Sequence, residues 1–429
     1  MFQEITIKNF MSYRDEVTFT FEATKDSTFE ESQVVEVAPG VRLLRFALIY
    51  GSNASGKSNL LKALEYLRGF WGKIREDKNS GTDVIPFLLD KETPHAPTEF
   101  KITFYVEGKK FKYSLSLDDK KVIEEKMDYY PGNQPKNLFT RELSNGQSVI
   151  KFNPSVQKVS DTVRDEITVK CLPNMSFFAT RNRVNCSLTH IDEGKEWLES
   201  HLMQPITPSI RMIDYAGREI ERDPALKKYM LDFVKTADFN ISDLETKTEH
   251  IHLPKQVCEQ IKNDKNLSQA LKDEVLSNPF IDNTETVFEH SVVNSRGAET
   301  YKLSTGLQSR GTQRTIGVET AIYKAMKRQG LLPIDELETS LHPMLIEFIL
   351  ENFLREKNES QLIVTTHYDP LLNTINDLLR KDSVWFTEKN EDGNTIIYPL
   401  TDFKGLNRIH SYQKAYKNGR FGAIPNIMI

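Results

Sequence analysis

Alternating apolar and polar residues dominate the first 60 positions of the chain. The runs "EITIKNF", "VTFTFE" and "RLLRFALIY" have the two-residue period that is typical of β-strands. The third run leads directly into "GSNASGKS" at residues 51–58, and an amphipathic helix pattern follows from about Ser58 to Phe70. The pattern therefore predicts a strand, a glycine-containing loop and a helix in immediate succession.

Two further regions differ in their period. Between about residues 98 and 130, three alternating runs separated by "EGKK" and "LDDKK" predict antiparallel hairpins. Residues from about 160 to 280 contain helix-compatible patterns such as "GKEWLESHL" instead. No heptad repeat is sustained in that stretch, so we do not expect a long coiled coil.

The last third of the chain alternates between helix and strand patterns. A helix is predicted from about Thr312 to Arg328, an apolar strand at 331–334, a second helix from Pro343 to about Glu356, and a strand at "QLIVTTH". This alternation is typical of a mostly parallel sheet covered by helices, so we predict an α/β fold with a split nucleotide-binding core. The predicted segments are 1–95 (first half of the core), 96–155 (β lobe), 156–284 (inserted, mainly helical region) and 285–429 (second half of the core).

Composition and charge limit the function classes. Apolar residues make up 38% and charged residues 27% of the chain, as in ordinary folded proteins. The net charge of −5 provides no global basic field for nucleic acid, so any such surface has to be local. The basic stretches 255–272 and 324–329 are candidates for a local patch, although lysines on helices also serve simply as solvated faces.

Cysteine usage and the longest apolar stretch bear on the compartment. The three cysteines form no CxxC pair, which disfavours a disulfide framework and a zinc site and favours a reducing compartment. The N-terminus lacks the pattern of a signal peptide, and the longest apolar stretch, residues 43–50, is too short to span a bilayer. We expect a cytoplasmic protein without a transmembrane helix.

The stretch at residues 51–58 carries the first candidate chemistry. Gly51, Gly56, Lys57 and Ser58 match the pattern GxxxxGK[ST], in which backbone N–H groups and a helix N-terminus hold phosphates. Lys57 is predicted to reach the β- and γ-phosphates and Ser58 to bind Mg²⁺. The alternative interpretation is a merely flexible turn. The predicted nucleotide-binding residues are Gly51, Ser52, Asn53, Ala54, Ser55, Gly56, Lys57, Ser58 and Asn59.

Two strand ends in the last third supply further candidates. An apolar run is followed by "DELETSLHP", which begins with Asp335 and Glu336. Asp335 is predicted to hold Mg²⁺, and Glu336 is predicted to orient and deprotonate the attacking water. "LIVTTH" ends in His367, whose imidazole is predicted to donate to the γ-phosphate. Each of these is also a common residue type for an ordinary solvated or structural strand end. The loop upstream favours the functional interpretation.

Two S-x-G sequences compete for a signature that contacts the nucleotide of a partner molecule. They are Ser304/Gly306 in "LSTGLQ" and Ser309/Gly311 in "SRGTQR". We prefer the second pair because the predicted helix begins directly after it, with Thr312 in the first turn. The alternative interpretation of Ser309 is an ordinary helix N-cap.

The order of these motifs resembles that of ABC-type ATPases of the RecF/SMC branch. "ITIKNFMSY" is similar to the first strand of that branch. "PFLLD", "SRGTQR", "IDELETSLHP" and "YKNGRFGAIP" resemble the stand-alone AbiLi/RloA-type ATPases of prokaryotic abortive-infection systems. The resemblance therefore implies an ABC-type P-loop ATPase head with a split mixed sheet, ATP and Mg²⁺ as ligands, and Lys57, Glu336 and His367 as catalytic residues.

The same resemblance implies a head-to-head dimer. ATP would lie between the loop 51–58 of one subunit and Ser309 and Gly311 of the other, with Ser340 and His342 in the loop that links the two sites. Residues 79–98, where a metal-coupling glutamine is expected, contain no Gln. The stretch after His367 is short for the Toprim nuclease domain of the similar OLD family, so we expect a nuclease-like effector to act in trans.

Three functional hypotheses remain at this stage. The first is an ATPase that acts as sensor or regulatory scaffold of an antiphage system and controls a partner effector. The second is a RecF/SMC-like DNA-repair ATPase that clamps DNA, which salt-dependent and ATP-stimulated duplex binding would favour. The third is a nucleotide-dependent scaffold in which hydrolysis is incidental.

Overall fold

The computed structural model describes residues 1–237, 239–264, 272 and 275–425. The strands, in chain order, are β1 (Phe2–Lys8), β2 (Val17–Thr20), β3 (Val34–Ala38), β4 (Val41–Leu44), β5 (Phe46–Gly51), β6 (Thr98–Val106), β7 (Lys109–Leu117), β8 (Val122–Tyr130), β9 (Lys136–Ser144), β10 (Gln147–Phe152), β11 (Ile241–His252), β12 (Phe280–Asn294), β13 (Gly297–Ser304), β14 (Leu331–Ile334), β15 (Gln361–Thr365), β16 (Val384–Lys389) and β17 (Thr395–Pro399).

The helices vary from one to five turns. They are α1 (Glu30–Gln33), α2 (Lys57–Gly72), α3 (Asp161–Lys170), α4 (Phe177–Arg181), α5 (Thr189–His201), α6 (Ile213–Arg222), α7 (Pro224–Thr236), α8 (Lys255–Asn263), α9 (Arg310–Arg328), α10 (Pro343–Arg355) and α11 (Tyr412–Lys417). Short 3-10 helices lie at Thr93–His95, Thr305–Leu307, Asp369–Thr374, Lys381–Ser383, Leu400–Asp402 and Leu406–Arg408. Among the described helices, none is long and apolar enough to cross a membrane.

The chain divides into two compact units. The first comprises Met1–Pro208, Lys324–Thr339 and the residues from Ile346 onward; the second comprises Ser209–Tyr323 and Ser340–Leu345. The first unit contains two sheets that matter for function, and each is described below. The division assigns α3, α4 and α5 to the first unit, whereas we expected residues 156–284 to form a separate inserted region.

The first unit contains a parallel sheet of the order β14-β15-β5-β16-β17, in which only β17 is antiparallel. Its central strand β5 pairs with β15 and β16 on its two edges and is buried at every position. Strand β5 comes from the N-terminal part of the chain and its neighbours come from the C-terminal part. The predicted split core is therefore confirmed, and its carboxyl strand ends meet at one edge.

A seven-stranded antiparallel sheet has the order β10-β9-β8-β7-β6-β1-β2. Strands β6, β7 and β8 correspond to the three alternating runs predicted between residues 98 and 130. Strand β6 pairs with β1 in register Ile5↔Ile102, so the predicted β lobe continues the N-terminal strands as one sheet. Buried aromatic and aliphatic side chains of this sheet and of α2 and α5 form one apolar core.

The second unit contains a three-stranded antiparallel sheet of the order β11-β12-β13, together with α6, α7 and α8. We expected mainly helix for 156–284, and β11 contradicts this expectation over Ile241–His252. The sequence of β11, "ISDLETKTEHIH", carries few apolar residues, so its strand conformation depends on the ladder to β12 rather than on an alternating pattern. Of the basic stretch 255–272, residues 265–271 lie outside the described residues.

Candidate functional site

The loop after β5 has the geometry that its glycines predict. Gly56 adopts φ +108°, a left-handed conformation that favours glycine, and α2 begins at the next residue. A Cβ on Gly51 would lie 2.4 Å from Oγ1 of Thr387, so only glycine fits there without displacement of its neighbours. Ser52, Asn53 and Ala54 lie at the solvent-accessible part of the loop, which therefore offers backbone N–H groups at a helix N-terminus.

Lys57 is the charged residue of this loop and is only 5% exposed. Its Nζ donates to the backbone oxygens of Gly51 (2.9 Å) and Ser52 (3.2 Å). Burial lowers the pKa of Lys57 from 10.5 to about 8, although the negative charges of Asp335, Glu336 and Glu338 oppose this effect. The ammonium group is therefore held at the mouth of the loop, in a place where additional negative charge would stabilise it.

Ser58 and Asp335, the two predicted Mg²⁺ ligands, lie in contact. The hydroxyl of Ser58 donates to Oδ1 of Asp335 at 3.0 Å, and Thr365 donates to the same oxygen at 2.5 Å. Mg²⁺ binds in nucleotide sites through one or two protein oxygens together with phosphate oxygens and water. A hydroxyl and a carboxylate oxygen at this separation, beside the phosphate loop, fit such an ion.

Glu336 follows Asp335 in an unusual backbone conformation. Its φ of 47° is left-handed, which is rare for a residue with a side chain. Its backbone N–H donates to Oγ1 of Thr365 at 2.9 Å, and its backbone oxygen accepts from the N–H of Thr339 at 3.0 Å. The side chain is 40% exposed, so the carboxylate has access to water beside Asp335.

His367 contacts both catalytic candidates. Its Nε2 lies 3.1 Å from Nζ of Lys57 and 3.8 Å from Oε1 of Glu336. Burial, and after it the positive charge of Lys57, lower the pKa of His367. Because an ammonium group only donates, Nε2 accepts in this contact and the imidazole is neutral with its proton on Nδ1. The predicted donation from His367 to a γ-phosphate thus requires a proton on Nε2.

The preferred signature belongs to the second unit. Ser309 is exposed, and its Oγ accepts the backbone N–H of Thr312 at 3.1 Å, which makes Ser309 the N-cap of α9. The helix begins at Arg310, two residues earlier than predicted, so Gly311 lies within the first turn and not before it. A Cβ on Gly311 would lie 2.8 Å from the backbone oxygen of Ser340.

The two S-x-G sequences differ in their surroundings. Gly306 lies in the 3-10 helix Thr305–Leu307, and a Cβ there would meet no atom within 4 Å. Gly311 is instead in close contact with the loop that holds Ser340 and His342, the residues expected to link two nucleotide sites. Ser309 and Gly311 therefore remain the preferred prediction.

Several residues that support the loop were not predicted. Thr387 lies 2.7 Å from the hydroxyl of Ser55, and Thr395 donates to the backbone oxygen of Ser55 at 2.9 Å. The amide of Asn59, predicted to bind nucleotide, donates to Oγ of Ser12 at 2.8 Å. These partners come from distant parts of the chain and have no motif of their own, so the sequence does not mark them.

The first unit thus combines a parallel sheet, a phosphate-binding loop at the end of its central strand, and acidic and histidine side chains at the ends of β14 and β15. These features define an α/β fold of the P-loop nucleotide-binding class. The chain belongs to the family described as "AAA domain, putative AbiEii toxin, Type IV TA system", which matches residues 46–170 and 198–373. No curated protein matches the sequence.

Solved structures similar to the chain include heads of SMC proteins. The SMC head domain from Thermotoga maritima is 12% identical, with 93% of this chain and 98% of that chain covered and a TM-score of 0.42. An Smc head domain with an extended coiled coil, bound to the C-terminal domain of ScpA and derived from Pyrococcus furiosus, is 14% identical, with 98% of both chains covered and a TM-score of 0.34. An SmcHead bound to the C-winged helix domain of ScpA is 13% identical, with 96% and 99% covered and a TM-score of 0.40.

Proposed function

We propose that the chain is an ABC-type ATPase of the RecF/SMC branch that hydrolyses ATP to ADP and phosphate in the presence of Mg²⁺. The observation that carries this proposal is the convergence of Lys57, Ser58, Asp335, Glu336 and His367 at one edge of the parallel sheet. These residues come from three separate parts of the sequence. Membership of an AAA-domain family supports nucleotide binding by the same residues.

Each residue has a distinct task in this reaction. The backbone N–H groups of the loop and the ammonium of Lys57 hold the β- and γ-phosphates. Ser58 and Asp335 would hold Mg²⁺, and the ion would supply positive charge beside the phosphate oxygens. Glu336 orients the attacking water and accepts its proton, and a protonated Nε2 of His367 donates to the γ-phosphate.

The first test replaces Glu336 with Gln, which keeps a hydrogen-bonding side chain but removes the base. We expect the variant to retain ATP and to turn over about 10² to 10⁴ times more slowly than the original chain. Glu351→Gln, an exposed carboxylate on α10, is the matched control and should hydrolyse normally. Turnover by Glu336→Gln at the rate of the unmodified chain would contradict the proposed role of Glu336.

The nucleotide site is proposed to be completed by a second copy of the chain. Ser309, Gly311 and Thr312 of one copy would cap the nucleotide that is bound to the loop 51–58 of the other. Such an arrangement is a closed, two-fold symmetric contact with two identical sites. Gly311→Asp should then leave ATP binding by the isolated chain intact and abolish ATP-dependent dimerisation and turnover. Full turnover by this variant would refute the shared site.

The biological role we propose is that of a sensor or regulatory scaffold in a prokaryotic antiphage system of the AbiLi/RloA type. The family description, which names a putative AbiEii toxin and a type IV toxin–antitoxin system, supports this role. ATP-dependent assembly would hold or release a nuclease-like effector that is encoded nearby. The test is phage challenge of cells that carry the gene and its neighbour, with Lys57→Ala as the inactive variant. Equal protection by the Lys57→Ala variant, at equal expression, would contradict an ATP-dependent role.

A further inference from the structure

Glu338 lies two residues after Glu336 and takes no part in the reaction described above. Its carboxylate nevertheless reaches the end of the neighbouring strand. Oε2 accepts the hydroxyl proton of Thr366 at 2.8 Å, and Oε1 accepts the backbone N–H of His367. The two partners directly follow Thr365, the last residue of β15. One carboxylate therefore binds both positions at which the chain leaves the sheet.

The contacts continue one residue further along the chain. The hydroxyl of Thr366, which donates to Glu338, also accepts the backbone N–H of Tyr368 at 2.9 Å. Hydrogen bonds to a charged acceptor are about twice as strong as those between neutral groups. Glu338 therefore holds Thr366 and the His367 N–H directly, and Tyr368 through the Thr366 hydroxyl.

Glu338 also shares a tight turn with Glu336. The backbone oxygen of Glu336 accepts from the N–H of Thr339, so residues 336–339 form one hydrogen-bonded turn. At one end of this turn is the Glu336 carboxylate, 3.8 Å from Nε2 of His367. Near the other end, Glu338 holds the backbone N–H of His367. Glu338 thus links the turn that carries Glu336 to the backbone of His367.

We propose that Glu338 is a positioning residue that fixes the His367 imidazole relative to Glu336 at the γ-phosphate side of the site. This inference rests on the proposed ATPase function for its catalytic consequence. Its structural part, the anchoring of the strand end at residues 366–368, does not depend on hydrolysis. The two parts are therefore tested by separate measurements.

The kinetic test compares Glu338→Ala with Glu338→Gln. Glu338→Ala removes both acceptors, and we expect kcat to fall about 10-fold to 100-fold with the dissociation constant for a fluorescent ADP analogue unchanged within about twofold. A Gln side chain can still accept the N–H of His367, so Glu338→Gln should recover most of kcat. Glu351→Ala, an exposed carboxylate removed elsewhere, should match the unmodified chain. Unchanged kcat in Glu338→Ala, or an equal loss of nucleotide affinity, would overturn the proposal.

The second measurement is hydrogen–deuterium exchange of the peptide that covers residues 362–368, without nucleotide. Glu338→Ala should exchange the His367 amide faster than the unmodified chain, and Glu338→Gln should stay close to it. Thr366→Val removes the two hydrogen bonds of the Thr366 hydroxyl but keeps the bond between Glu338 and the His367 amide, so it should give an intermediate effect. If the unmodified chain hydrolyses no ATP, the proposed function fails while this exchange result still decides the anchoring role. Exchange that is identical in all variants would show that Glu338 does not hold the strand end.

Discussion

The low pKa of Lys57 predicts how nucleotide binding depends on pH. A buried ammonium group holds phosphate only while it is protonated, and nucleotide in turn stabilises the protonated form. The perturbation is therefore a rise in pH from 7 to 9.5, in the presence of a chelator so that no divalent cation contributes. The terminal phosphate of the nucleotide is already mostly ionised over this range, because the second pKa of a phosphate group is about 6.

The magnitude follows from the burial of Lys57. With 5% exposure, its pKa falls from 10.5 to about 8, which disfavours the charged form by roughly 3 kcal/mol. Nucleotide phosphate raises the pKa of Lys57 again, so binding becomes coupled to proton uptake once the pH exceeds the pKa of the free site. Affinity should be constant below about pH 8 and about tenfold weaker at pH 9 than at pH 7.

The assay is equilibrium titration of a fluorescent ADP analogue at half-unit pH steps. Lys57→Arg is the matched control, because a guanidinium group stays charged throughout and should give a flat profile even if its affinity is lower. Two results would contradict this role of the Lys57 ammonium group. One is constant affinity of the unmodified chain up to pH 9.5, and the other is the same decline in Lys57→Arg.

Three substitutions test other parts of the structure. Gly56→Ala should abolish nucleotide binding in the same titration, since Gly56 has φ +108° and a Cβ there would lie 2.5 Å from a threonine hydroxyl; normal affinity would contradict the loop geometry. Thr365→Val removes a hydrogen-bond donor to Asp335 and should lower the free energy of unfolding by about 1–3 kcal/mol, measured as a lower midpoint of urea unfolding. An unchanged midpoint would argue against this hydrogen bond. Gly311→Ala should lower the midpoint of thermal unfolding, because the added Cβ would lie 2.8 Å from a backbone oxygen. Gly306→Ala is the control and should leave the midpoint unchanged, because the space around Gly306 is open. Equal midpoints of the two variants would count against the close contact at Gly311.

The residues of the site that belong to a recognisable sequence motif could be predicted from the sequence. The spacing of glycines around Lys57 predicts a phosphate loop, and an apolar run that ends in Asp335 and Glu336 predicts a buried strand end. Because parallel strands place their carboxyl ends at one edge, His367 was also expected nearby. In the structure, His367 lies within hydrogen-bond distance of Lys57, and Asp335 lies within hydrogen-bond distance of Ser58.

The supporting contacts could not be predicted, because they join common residue types across large sequence separations. Thr395 is 340 positions from Ser55 along the chain, and nothing in its local sequence marks it as a partner. In the sequence, nothing distinguishes Glu338 from an acidic residue of an ordinary solvated turn. Its contacts with Thr366 and His367 emerge only after β14 and β15 are aligned as neighbours in the sheet.

The strand β11 illustrates a second limit of sequence patterns. Its residues carry many charges and no regular alternation, so the period that predicts a half-buried strand is missing. The strand forms because β12 supplies a ladder of backbone hydrogen bonds along its length. Pairing with a partner that is about 40 residues away overrides the weak local preference, as tertiary context does for strands in general.

The central claim is that the chain hydrolyses ATP at sites shared between two copies. The most direct measurement mixes two inactive variants, Lys57→Ala and Gly311→Asp, in equal amounts and records ATP turnover. Each mixed dimer then carries one site with both defects and one intact site. Half of the dimers are mixed, so we expect about one quarter of the turnover of the unmodified chain. A mixture as inactive as the separate variants, or full turnover by Gly311→Asp alone, would contradict it.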